Sequence, residues 1–195
     1  MRDTARYVVD GVRVPSVTEA LGLAGLYDFS HIPAENLEHA RQRGQDVHEW
    51  LALEDQGFVE EDEPPEEIRG YVRAYLRFKN ESGFVPHLIE HVVVNETYLY
   101  AGALDRAGEM RGFRALLDIK AVVKVGPATS LQTKAYALCL DEPHDRYALQ
   151  LKPDGTYRLQ SYPLKGRSEI ADRDDWYAAL RMAQWKLTYM GVTLE

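Results

Sequence analysis

Residues 97–120 read TYLYAGALDRAGEMRGFRALLDIK, and their reading decides the fold. The runs 97–107 and 113–120 are strand-like, separated by a short turn-rich stretch. The turn has two candidate positions, Ala107-Gly108 and Arg111-Gly112. A turn on the first would put Asp105 opposite Met110 and leave Asp118 roughly 26 Å further along, at ~3.3 Å per residue. A turn on the second, with glycine free to take positive φ, pairs Met110 with Phe113. Counting back, Asp105 then falls opposite Asp118, and directly paired residues share a face with Cβ atoms ~4.5–5.5 Å apart. This second register is the expected one. Asp118 and Lys120 are two apart, so both project from one face and Ile119 from the other.

Two converging carboxylates beside a lysine make a site for a hard cation with a positive charge next to it. That set suits phosphodiester hydrolysis. A divalent ion lowers the pKa of a bound water and withdraws charge from phosphoryl oxygens. A lysine can orient that water or stabilise the transition state.

The remaining elements build outward from this pair. Residues 6–14 predict a hairpin around Asp10-Gly11. Ser16 and Glu19 have capping-box spacing at the start of a short helix. In a helix over 33–56, Leu37, Ala40, Gly44, Val47 and Leu51 share a face. An acidic connection over 54–67 carries Pro64-Pro65, and a helix over 66–82 aligns Arg69, Arg73 and Arg77. Residues 88–94 read as a strand in which Glu90 shares a face with Val92 and Val94. A helix over 129–140 places Gln132 and Tyr136 on one side. Strands over 146–151 and 156–162 flank Pro153-Asp154-Gly155. The last helix, 168–190, buries Trp176, Leu180, Ala183 and Leu187. This order gives an α/β domain, a central mixed β-sheet flanked by helices. One domain is expected over 1–195, with a hairpin and short helix over 1–32 leading into the core at 33–195.

Composition narrows the function classes. Hydrophobic residues at 45% and charged residues at 28% exclude disorder. No apolar run is long enough to span a bilayer, and residues 1–11 lack the apolar stretch of a secretory signal. The single cysteine, Cys139, can form no intrachain disulfide, iron–sulfur cluster or zinc ribbon. These features predict a cytoplasmic protein without membrane partners. A net charge of −8 and a pI near 5.3 are unlike a non-specific polyanion binder. Any contact with nucleic acid must therefore be local, or mediated by a metal.

Arg43-Gly44 then His48, Gly102 to Asp105, Asp118 with Lys120, and Gln132 with Tyr136 stand in this order along the chain. Together they resemble the PD-(D/E)XK nuclease superfamily, in particular its RecB-like and lambda-type phage exonuclease branch. That pattern is an arginine-glycine pair before a histidine, a GxxD strand, a (D/E)xK strand and a QxxxY helix. It spans about half of the chain. The chain departs from it in three places: Leu104 stands where proline is usual, Asp118 is the shorter acid, and Ala121 replaces a frequent threonine. The four-cysteine cluster of some relatives is absent, so no iron–sulfur cluster is expected.

The resemblance implies a restriction-endonuclease-like core and a Mg²⁺- or Mn²⁺-dependent deoxyribonuclease, foremost an exonuclease in recombination or DNA processing of a bacterial or phage-infected cell. It implies that His48, Asp105, Asp118, the Ile119 carbonyl and Glu90 hold metal. His48 without the pattern reads as a core histidine, and Glu90 as an exposed edge position. Lys120 would position the attacking water, and Gln132 and Tyr136 would orient the substrate or Lys120. Close approach of the helix to the sheet would explain Gly44 inside that helix. The implied partner is DNA, double-stranded ends first, and the family also admits a homo-oligomer and a single-strand annealing partner protein. A flap or branched-DNA endonuclease, and a catalytically inactive nuclease fold used for binding, are the alternatives.

Overall fold

The computed structural model describes residues 7–27, 33–59 and 63–194. The expected hairpin begins one residue outside that set, at Arg6. Its described part forms β1 (Val8–Val9) and β2 (Val12–Arg13), with Asp10 and Gly11 both at positive φ, the geometry of a tight two-residue hairpin. Helix α1 (Val17–Leu23) opens on a complete capping box between Ser16 and Glu19. Helices α2 (Ala34–Asp55) and α3 (Glu66–Ser82) follow, each entered from a proline. Then come β3 (Val85–Asn95), β4 (Tyr100–Met110) and β5 (Phe113–Lys120). After α4 (Thr129–Ala137), strands β6 (Asp145–Leu151) and β7 (Tyr157–Tyr162) lead to α5 (Glu169–Tyr189).

The five strands lie in the order β3-β4-β5-β6-β7. All neighbours are antiparallel except β5 and β6, which are parallel. A parallel pair needs a crossover, and α4 supplies it. One face packs against α2 and α3 through Val47, Leu51, Tyr75, Phe78, Leu117, Ile119 and Leu149. The other packs against α1, α4 and α5 through Leu21, Leu104, Leu116, Tyr136, Trp176 and Leu180. The architecture is thus α/β, with a mixed central sheet between helical layers.

The β4–β5 register is the one that the Arg111-Gly112 turn predicts. Met110 pairs with Phe113, and the two turn residues have φ of +55° and +82°. Three boundaries differ from the sequence pattern. Strand β4 starts at Tyr100 rather than 97, because Leu99 has φ +54° and the Tyr98 amide bonds to Asn95 Oδ1. It then runs on to the turn. Strand β3 extends three residues before the expected 88. Helix α4 stops at Ala137, three residues early, where Cys139 and Leu140 bond back three residues and tighten the chain. Cys139 is half-buried beyond the helix end, and Leu187 is half-buried rather than enclosed.

Candidate metal centre

Strands β4 and β5 part at Asp105 and Asp118. Their ladder runs from Met110–Phe113 to Arg106–Leu117 and stops one step short of Asp105 and Asp118. The β3–β4 ladder likewise skips the step between Ile89–Arg106 and His91–Leu104, which is Glu90 beside Asp105. Glu90 has φ +47°. The expected alternation with Val92 and Val94 is broken there: those valines are exposed, while the Glu90 carboxylate turns in. The Asp105 side chain fills part of the gap, since its Oδ2 accepts the Ile119 N–H at 2.7 Å.

Helix α2 brings His48 to the same place. Val47 and Leu51 seat the helix in the core, and His48 stands at the edge of that stripe. Its Nε2 lies 3.0 Å from the Ile119 carbonyl. Its Nδ1 lies 3.2 Å from Glu90 Oε1 and 3.5 Å from Asp105 Oδ1. Among the described residues, His48, Glu90 and Asp105 each offer a ligand atom within 4.8 Å of the others. A carbonyl can only accept, so Nε2 donates to Ile119. Nδ1 faces the two carboxylates, and Glu90 Oε1 also accepts from Arg106 at 2.9 Å. The donor set, one imidazole and two carboxylates, can hold a divalent cation.

Asp118 stands outside this trio. It is buried, and its Oδ2 lies 2.9 Å from Lys120 Nζ without hydrogen-bond geometry. Burial pushes its carboxyl well above the ordinary range; Lys120 opposes the shift and Asp105 adds to it. Burial works against the Lys120 ammonium, but Asp118 and Asp105 outweigh it and hold the lysine protonated. Lys120 Nζ also donates to Gln132 Oε1 at 3.1 Å. That oxygen accepts from Tyr27 Oη at 3.2 Å. Burial pushes the Tyr27 phenol up to about 12, so it is a donor at neutral pH. Tyr136 lies behind Gln132 and packs on Gly102, where a Cβ would stand 2.7 Å from the ring. Only glycine leaves Tyr136 that room.

One sequence expectation does not hold. A Cβ on Gly44 would meet nothing within 4 Å, so close helix–sheet approach is not what keeps glycine there. The aligned arginines of α3 lie on an exposed face: Arg69 and Arg77 pair with Glu63 and Glu81, while Arg73 lies against Gly155. Lys134 is tied to Glu169 at 2.8 Å.

Arg106 and Asp55 are site residues that sequence reasoning missed. The Arg106 side chain is fully buried. It donates to Glu90 Oε1 at 2.9 Å, to the Asp105 carbonyl at 2.7 Å and to Asp55 Oδ2 at 2.6 Å. Asp55, at the end of α2, also accepts from Tyr75 and Lys79. This ion network fixes Glu90 from behind. An arginine directly after Asp105 inside a buried strand was the available signal.

No protein-family model matches the chain, and a search of curated proteins finds no match. No helix among the described residues is long and apolar enough to cross a membrane.

Proposed function

We propose that this chain is a divalent-metal-dependent deoxyribonuclease with a restriction-endonuclease-like core of the PD-(D/E)XK type, foremost an exonuclease acting on DNA ends. The observation that carries the reading is the gathering of His48, Glu90 and Asp105 at the Ile119 carbonyl, with Lys120 beside them where β4 and β5 diverge. The parallel β5–β6 pair around α4 supports the same core.

His48, Asp105 and Glu90 would hold the ion, with Asp118 joining once Lys120 releases it and the Ile119 carbonyl once His48 Nε2 releases it. A bound Mg²⁺ or Mn²⁺ supplies a water of lowered pKa and withdraws charge from the phosphate. Lys120, kept cationic by its two acids, orients the nucleophile and stabilises charge on the phosphoryl oxygens. Gln132 and Tyr27 hold Lys120 in place through their hydrogen bonds. Attack on phosphorus with the 3′ oxygen leaving gives 5′-phosphate products.

The test is incubation with end-labelled linear DNA and with a closed circle of the same sequence, in Mg²⁺, in Mn²⁺ and in EDTA. Metal-dependent shortening of the linear DNA, with the circle intact and 5′-phosphate ends, supports the reading. Cutting of the circle assigns endonuclease activity instead. No cleavage in either metal overturns the enzyme and leaves the binding fold.

A further inference from the structure

A row of side chains continues from Lys120 across the sheet. In the β5–β6 ladder Lys120 pairs with Gln150, and in the β6–β7 ladder Gln150 pairs with Arg158. Register partners share a face, so Lys120, Gln150 and Arg158 point the same way. Asp118, Ala148 and Gln160 form the adjacent row. Strands spaced 4.7–4.9 Å apart put Arg158 roughly 10 Å from Lys120.

The loop after β5 closes over this row. Its tip is apolar and projects outward, with Val123 99% exposed. Gln150, itself buried, fixes the loop: its Nε2 donates to the carbonyls of Val122 and Val123 at 2.8 and 2.7 Å. The loop therefore presents Lys124 to the row in a set position. Val123, Lys124, Val125, Gln150, Arg158 and Gln160 line one cleft.

The charge of this cleft is opposite to that of the chain. The protein has 31 acidic residues against 23 lysines and arginines. Most of its arginines are paired with carboxylates, as Arg69, Arg77, Arg106, Arg146 and Arg167 are. Lys124 and Arg158 form no ion pair among the described residues, and no carboxylate lines their cleft. Other exposed cations also lack an ion pair among the described residues, but these two line one cleft that holds no carboxylate, which makes it a place for an anion.

We infer that this cleft is a phosphate subsite for a nucleic-acid strand whose reacting phosphodiester lies at Lys120. The inference rests on the nuclease reading and extends it. Lys124 and Arg158 grip the backbone, and Gln160, which spends one amide N–H on Tyr162, offers the other; both N–H groups of Gln150 are taken by the loop it fixes. Recognition here is independent of base sequence.

The test is fluorescence anisotropy with a short labelled single strand, titrated across salt concentrations in Ca²⁺. The double variant K124A/R158A should bind more weakly at low salt. Its plot of log affinity against log salt should be shallower by roughly 1.4, at ~0.7 for each lost phosphate contact on a single strand. The charge-keeping variant K124R/R158K should retain the slope. R181A, which removes an exposed arginine of α5 with no ion pair among the described residues, should leave the slope unchanged. An unchanged slope in K124A/R158A, with wild type binding and cleaving DNA, overturns the subsite and leaves the nuclease standing. An equal change in R181A also overturns it, since net charge alone would be responsible. Wild type that neither binds nor cleaves DNA overturns the nuclease reading, and the subsite falls with it.

Discussion

The Asp105 carboxylate occupies the place of a missing ladder bond: its Oδ2 accepts the Ile119 N–H at 2.7 Å where β4 and β5 separate. The same carboxylate turns Oδ1 toward His48 Nδ1. One side chain thus closes the sheet and opens the site.

These two roles separate on mutation. Asp105→Asn keeps an acceptor for Ile119 and can offer its amide N–H to His48 Nδ1. It should stay within about 1 kcal/mol of wild type in urea denaturation. Asp105→Ala leaves a buried N–H unpaired and should lose about 1–3 kcal/mol. Both should lose divalent-metal binding in calorimetry. Equal stability of the two variants would mean that the hydrogen bond does not support the sheet.

His48→Ala should weaken Mn²⁺ binding more than Mg²⁺ binding, because nitrogen ligands favour the former. Competition titrations with both ions measure the ratio. An unchanged Mn²⁺ affinity would leave His48 as a helix–sheet contact through Ile119 only.

The register was legible because one turn alone brought two acids together, and the Arg111-Gly112 backbone has the positive φ it needs. The capping box of α1 and the span of α3 were legible for the same reason: each is set by local residues. The geometry around Glu90 was not. Alternation assigns it to the face of Val92 and Val94, but its backbone leaves the β region and its carboxylate meets Arg106 and His48. That reversal depends on Arg106, which in turn depends on Asp55 from a distant helix. Tyr27 joins through a hydrogen bond to a residue 105 positions away. Such long-range polar contacts leave no periodic trace in the sequence.

Gly44 offers a separate test. A methyl group there would meet nothing, and glycine inside a helix costs about 1 kcal/mol relative to alanine. Gly44→Ala should therefore raise stability by roughly that amount, a shift of about 2–4 °C in Tm for a chain of this size. If stability rises while DNA cleavage falls, the open space beside Gly44 admits substrate. A drop in stability would contradict the open environment.

The raised carboxyl of Asp118 sets a pH dependence. Burial makes the folded state hold this proton above the ordinary aspartate value of 3.8. Between that value and the raised one, the native state carries more protons than the unfolded chain. Stability then falls as pH rises through the window and is recovered below it. Metal-free wild type should lose stability relative to Asp118→Asn as pH rises from about 4, because asparagine has no proton to release. Chemical denaturation of both proteins in EDTA across this range measures the difference. A constant difference would show that Asp118 keeps an ordinary carboxyl.

Lys120 decides whether the centre is catalytic. Its ammonium lies against Asp118 and Gln132, and two acids keep it charged. A cation that acts on charge developing in the transition state contributes to rate and little to ground-state binding. Lys120→Gln preserves a neutral hydrogen-bonding head near Gln132 and removes the charge. Single-turnover cleavage should fall about 10²–10³-fold, the loss typical of one electrostatic stabiliser. Metal affinity and DNA affinity should stay close to wild type, as measured by calorimetry and anisotropy on the same preparations. The buried Asp118 carboxylate then has no cationic partner, so its proton should be held more tightly, and the window described for wild type should widen upward in Lys120→Gln. A purely structural lysine would give that pH shift without the rate loss. A phosphate clamp would give a loss of DNA affinity as large as the loss of rate. Only a group acting on the reaction gives a rate loss with binding retained.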